Sequence, residues 1–218
     1  MSASHPRAHG LSGGNSLLPA WVKETVRAIL DPIVRVALAL HVTANTVTVL
    51  GLLIVVIAAL LIASGALVAG ALVLVAGSLL DAVDGALARA TGGGTPFGGF
   101  LDSTLDRAGE AIVYFAIAAH YLQADAPTWP VLAAFVALTG SFMVSYSRAR
   151  AEGIGVSASI GVAPRTERLV LIIAGLGLAG LGIGPALITA LWIIAALTVA
   201  TTAQRIWHVW RLTAPARG

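Results

Sequence analysis

The sequence predicts an all-α membrane protein: six transmembrane helices preceded by an amphipathic helix that lies in the membrane interface. Three observations predict it. The 218 residues are 58% hydrophobic, with a mean hydropathy of +0.92. Only 11% are charged, against about 25% in soluble globular chains. The apolar residues are also gathered into six stretches of span length, a crossing helix needing about 20 residues. This composition excludes an ordinary water-soluble globule. The chain has no cysteine, which excludes disulfides, thiolate metal sites and cysteine nucleophiles.

The elements follow in order. Residues 1–15 are rich in Gly, Ser and His and lack the apolar centre of a signal peptide, so they are expected to be disordered. Residues 16–42 carry the interfacial helix: from Trp21 to Val42 the charges of Lys23, Glu24, Arg27, Asp31 and Arg35 are spaced among apolar side chains. One six-helix domain then occupies 43–211, with spans at about 46–66, 69–90, 97–121, 128–150, 166–182 and 184–206. Residues 212–218 form a tail, preceded by Trp207, His208, Trp210 and Arg211 as an interfacial anchor. The glycines from Gly175 to Gly184 and the pair Gly98–Gly99 permit close helix contacts.

The basic residues set the orientation. Lys23, Arg27, Arg35, Arg89, Arg148, Arg150, Arg165, Arg168, Arg205, Arg211 and Arg217 all fall on the side where the first span begins. The opposite loops, near Gly65, Asp125 and Leu181, hold no Lys or Arg. The positive-inside rule therefore puts both termini in the cytoplasm of a cell whose plasma membrane holds the protein. The net charge of +3 serves topology by this reading, and nucleic acid is not an expected partner.

Four carboxylates point to chemistry. Asp81, Asp84, Asp102 and Asp106 sit inside apolar, span-length stretches, where an uncompensated charge costs about 2.5–3.5 kcal/mol. They must share cations, protons or water. Asp81 and Asp84 are three apart and Asp102 and Asp106 four apart, so each pair occupies one face of its helix. Two adjacent antiparallel helices would bring the pairs together, and four carboxylates suit a hard divalent ion such as Mg²⁺ or Mn²⁺. Gly85 and Ala88 on one helix and Gly98 on the other leave room beside the acids for a bulky ligand.

The residues Asp81, Asp84, Gly85, Ala88, Arg89, Gly98, Asp102 and Asp106 stand at the intervals of a known signature. In these eight positions the chain resembles the CDP-alcohol phosphotransferase family. The resemblance implies six transmembrane helices, a homodimer and a polar cavity open to the cytoplasm. It further implies two divalent ions held by Asp81, Asp84, Asp102 and Asp106, with Asp106 as general base. The expected CDP-lipid contacts are Gly85, Ala88, Arg89 and Thr95, together with Ala44, Asn45, Thr46 and Val47 of a segment similar to the family's Pro-Asn segment. Ala44 stands where that segment usually has Pro.

A second cluster bears on the acceptor. Ser145 and Arg148 close the fourth span, and Arg165 and Arg168 open the fifth. Each pair is three apart, and together they would make a cationic pocket for a phosphate. These segments resemble those of the prokaryotic phosphatidylinositol phosphate synthases, with Arg148 where Lys is common and Pro164 and Thr166 where Glu and Pro are common. The resemblance implies transfer of a phosphatidyl group from CDP-diacylglycerol, or an ether-lipid analogue, to inositol phosphate. Within the family the rival is a phosphatidylglycerophosphate synthase using glycerol 3-phosphate. Outside it, the rivals are a divalent-cation transporter built on the four acids and a structural scaffold. The single histidines 5, 9, 41, 120 and 208 receive no role.

Overall fold

The computed structural model describes residues 31–124 and 127–214. The expected disordered segment 1–15 and residues 16–30 of the expected interfacial helix lie outside the described residues. Helix α1 covers 31–39, followed by α2 (Ala44–Ala63), α3 (Leu67–Ala90), α4 (Pro96–Gln123), α5 (Thr128–Glu152), α6 (Arg165–Gly180) and α7 (Ala186–Thr213). Among the described residues there is no strand.

Local chemistry sets the boundaries. The end of α1 is a Schellman turn: His41 has φ 55°, its N–H donates to Leu38 O, and Val42 N donates to Ala37 O. Thr43 starts α2 by accepting from Thr46 N at 3.2 Å. The α3–α4 turn contains Gly92, Gly93 and Gly94, all with positive φ. Thr95 then caps α4 by accepting from Gly98 N at 2.9 Å, with Pro96 in the first turn.

The expected spans match these helices to within a few residues, with one larger difference. Helix α7 continues to Thr213, so Trp207, His208, Trp210 and Arg211 are part of it. The Trp207 and Trp210 rings lie 5.0 Å apart on its last turns, as expected three residues apart on a helix. Among the described residues, four helices are long and apolar enough to cross a membrane: α2, α3, α5 and α7. Helix α4 carries Asp102, Asp106, Arg107 and Glu110 between its start and its middle, and α6 has only 16 residues, opening with Arg165, Glu167 and Arg168.

The principal helix pairings close a ring in the order α2, α3, α6, α7, α5, α4 and back to α2. Each helix sends an apolar side chain into the ring: Ile62, Leu74, Ile117, Ala137, Leu176 and Leu191 are all essentially buried. Small residues allow the helices to approach. A Cβ on Gly175 would stand 2.9 Å from Ala190 Cβ, so α6 and α7 touch only because nothing projects there. The outside of the ring is apolar too: Leu50, Leu53, Ile57 and Leu60 form an exposed stripe along α2, the surface of a helix that faces hydrocarbon. A second, smaller cluster of Val34, Val47, Val83 and Leu87 fastens α1 to the start of α2 and the end of α3.

Candidate active site

The apolar filling of the ring stops near one end. There α3 finishes, α4 and α6 begin, and the acids lie. The expected direct packing of the two acid-bearing helices does not occur: α3 and α4 barely touch, because α2 packs against both. The space left among α2, α3, α4 and α6 is a cavity of about 730 Å³ including its open mouth. Asp81, Asp84, Asp106, Glu110 and Arg165 line its polar end, and Leu52, Val55, Leu74, Val113 and Ile172 line its apolar end.

Asp81, Asp102 and Asp106 converge, with carboxylate oxygens all within 4.8 Å of one another. Asp84 does not join them. It is buried, and its Oδ2 accepts from Thr48 Oγ1 at 2.8 Å. The reason is helical: a three-residue step rotates a side chain by about 300°, so Asp84 turns from the shared space toward α2. Arg165 joins the three acids from the opposite wall, its Nη1 at 2.8 Å from Asp81 Oδ2 and its Nη2 at 2.9 Å from Asp106 Oδ1. Arg107 Nη2 lies 3.6 Å from the other oxygen of Asp106. The donor set is all oxygen, anionic and clustered within one ion's coordination reach, so these residues fit a hard divalent cation.

Thr48 and Asp84 also form the wall of a second, wider cleft of about 1590 Å³ including its open mouth. Of the eight expected CDP-lipid contacts, Ala44, Asn45, Gly85, Ala88, Arg89 and Thr95 line this cleft, beside Gly93, Gly94, Gly98, Gly99 and Asp102. Thr46 and Val47 do not. Val47 is buried against Val34, Val83 and Leu87, and the Thr46 hydroxyl bonds to that of Thr43 at 2.9 Å. Successive residues on a helix point about 100° apart, so only part of the segment 44–47 can face one cleft. At Gly98, α4 lies close against α2: a Cβ there would stand 3.0 Å from Asn45 Oδ1.

The expected cationic pocket is taken apart. Arg165 faces the aspartates, but neither cavity has Ser145 or Arg148 in its lining. Arg148 lies on the surface and pairs with Glu152 one turn on, Nε to Oε1 2.8 Å. Ser145 donates back to Ser141 O at 3.1 Å, a bond within its own helix. Arg168 is 1% exposed and holds the buried Glu110 through two hydrogen bonds of 2.8 and 3.1 Å. The sequence reading overlooked Thr48, Arg107 and Glu110. The signal for Glu110 was present: it follows Asp106 by four residues, as Asp106 follows Asp102, so the three acids share one face. Thr48 likewise follows Ala44 by four.

Residues 41–211 match the CDP-alcohol phosphatidyltransferase family. The chain belongs to this family. It is thus a divalent-metal-dependent CDP-alcohol phosphatidyltransferase, and the transporter and scaffold readings fall away. The archaetidylinositol phosphate synthase of Methanothermobacter thermautotrophicus is 40% identical to this phosphatidyltransferase over 191 residues, 87% of this chain and 92% of the relative. The phosphatidylinositol phosphate synthase of Corynebacterium glutamicum is 37% identical over 186 residues, 84% and 85% of the two chains. Among solved structures, the Mycobacterium tuberculosis phosphatidylinositol phosphate synthase with CDP-DAG bound superposes with a TM-score of 0.80 at 36% identity, covering 87% of this chain and 96% of that one. The same enzyme in complex with manganese and citrate gives a TM-score of 0.78 at 36% identity, covering 86% and 90%.

Proposed function

We propose that this phosphatidyltransferase moves the phosphatidyl group of CDP-diacylglycerol, or its ether-lipid analogue, to a hydroxyl of inositol phosphate, forming phosphatidylinositol phosphate and CMP. The observation that carries the proposal is the meeting of Arg165 with Asp81 and Asp106 at one end of a cavity. A fixed guanidinium beside the base is what a phosphorylated alcohol needs, since it draws the phosphate in while the hydroxyl reaches the carboxylate.

The residues divide the work. Asn45, Gly85, Arg89 and Thr95 hold the cytidine diphosphate in the wider cleft, with Arg89 on phosphate oxygens and Gly85 and Gly98 leaving room for the ligand. Asp81, Asp84, Asp102 and Asp106 would hold two Mg²⁺ or Mn²⁺ ions. Bound there, such ions supply charge neutralisation at the pyrophosphate and at departing CMP. Asp106 accepts the proton of the acceptor hydroxyl. The acceptor oxygen forms its bond to the lipid-bearing phosphorus as the bond from that phosphorus to the oxygen of CMP breaks. Arg165 orients the acceptor phosphate. Apolar residues such as Leu52, Val55 and Ile172 line the other end of the cavity. The enzyme works as a homodimer of six-span subunits in the plasma membrane, with the site open to the cytoplasm.

The test is an acceptor panel. Purified enzyme with labelled CDP-diacylglycerol and Mn²⁺ receives inositol phosphate, glycerol 3-phosphate, free inositol or serine. The expected product is phosphatidylinositol phosphate. A preference for glycerol 3-phosphate would overturn the acceptor, and a preference for an uncharged alcohol would overturn the role of Arg165.

A further inference from the structure

We infer that Glu110 is a positioning residue for the acceptor side of the site: by holding Arg168 it fixes the first turn of α6, and so the orientation of Arg165. The inference rests on the acceptor role proposed for Arg165. Helices α4 and α6 are not among the closely packed pairs of the ring. Long side chains join them across the cavity as two successive rungs, Arg165 to Asp106 and Arg168 to Glu110. Both helices start at the same end. The rungs are separated by four residues on α4 and three on α6, about 6 Å and 4.5 Å of rise, so one register satisfies both.

The inner rung is the firmer. Arg168 Nε donates to Glu110 Oε1 at 2.8 Å and Nη2 to Oε2 at 3.1 Å, a two-pronged contact in which the arginine is fully buried. Its Nη1 donates to Ala163 O at 2.9 Å. Ala163 lies two residues before Arg165. One guanidinium therefore ties α4 both to the first turn of α6 and to the chain entering it. Arg107 Nε, 3.9 Å from Glu110 Oε2, is the other cation beside this carboxylate.

Arg165 needs such an anchor. It is the first residue of α6, after Pro164, with no side-chain cap. The positive end of the helix dipole repels a cation there, so α6 itself offers it no hold, and its place over Asp81 and Asp106 depends on those two contacts and on where the first turn of α6 sits. Glu110 also occupies the charge of Arg168, so among the described residues Arg165 is the cation that lines the cavity.

The experiment uses full-length enzyme in lipid nanodiscs and compares Arg165→Ala, Glu110→Gln, Glu110→Asp and the double variant Glu110→Met with Arg168→Met. Readouts are KM for the phosphorylated acceptor, KM for CDP-diacylglycerol, and Mn²⁺ affinity by electron paramagnetic resonance. The double variant replaces a buried ion pair by apolar side chains of similar length, which folded proteins tolerate, so it reports even where Glu110→Gln fails to fold. The expected result for Glu110→Gln and for the double variant is an acceptor KM raised at least tenfold, with CDP-lipid KM and Mn²⁺ affinity within twofold of wild type. Glu110→Asp, which keeps the charge, gives a smaller rise. A double variant with a wild-type acceptor KM, or with both KM values raised equally, overturns the inference. An unchanged acceptor KM in Arg165→Ala overturns the underlying role of Arg165; a raised value there with unaffected Glu110 variants overturns only the role of Glu110.

Discussion

Asp106 carries the most at the scale of single residues. It shares Arg165 with Asp81 and has Arg107 at its other oxygen. Cations on both sides hold its carboxylate in place, as its proposed role as base toward the acceptor hydroxyl requires. Asp106→Asn keeps the size and removes the base, so turnover should fall by about a hundredfold or more while the protein elutes and melts as wild type. CMP release measures the first and thermal unfolding in detergent the second; activity near wild type would remove Asp106 from the base role. This carboxylate was legible in the sequence because a charge within an apolar stretch demands an explanation. Its neighbours were less so. Glu110 stands on the same face one turn further on, but the eight-position signature ends at Asp106 and drew attention away from it. Thr48 carries no charge, and only folding shows that its hydroxyl meets Asp84.

At the scale of elements, close approach between helices decides where the ligand fits. Gly98 brings the start of α4 against Asn45 of α2. Gly98→Val should push the two apart, raising the KM for the CDP-lipid several-fold and leaving the acceptor KM unchanged, because Asn45 lines the wide cleft and Arg165 the other cavity. Steady-state kinetics with each substrate varied in turn checks it. Gly175 has a structural part instead. It lies where α6 meets α7, far along from Arg165, and a Cβ there would already be 2.9 Å from Ala190. Gly175→Val should destabilise by about 1–3 kcal/mol, the usual cost of overpacking. That appears as a lower melting temperature in detergent, with the KM values of the surviving fold unchanged.

At the scale of the whole molecule, the ring and the membrane constrain each other. The six helices of the ring, α2 to α7, contribute to one interior, and the acid-lined opening lies at the end where α4 and α6 start. The absence of native cysteine offers a clean background for topology. In intact cells a membrane-impermeant thiol reagent should label Ser64→Cys, between α2 and α3, and should spare Thr213→Cys at the end of α7 until lysis. The reverse pattern would invert the orientation drawn from the arginines. Removing metal should act on the whole site at once: chelation with EDTA should abolish CMP release, and added Mn²⁺ or Mg²⁺ should restore it. Persistent activity after exhaustive chelation would contradict metal dependence.

The sequence by itself determined the helical class, the position of nearly every helix and the identity of the acids, because hydropathy and the cost of buried charge act locally and leave their mark residue by residue. It also determined the family, because eight residues stand at set intervals along two helices. The tertiary structure alone decided how those helices are shared. It put α2 between α3 and α4, turned Asp84 to Thr48, closed Arg168 upon Glu110, and left Ser145 and Arg148 outside the cavity. Periodicity tells which residues share a face but not which neighbour that face meets. The neighbour is chosen by packing between helices far apart in the chain, where one glycine or one buried ion pair selects among arrangements that the local pattern treats as equal.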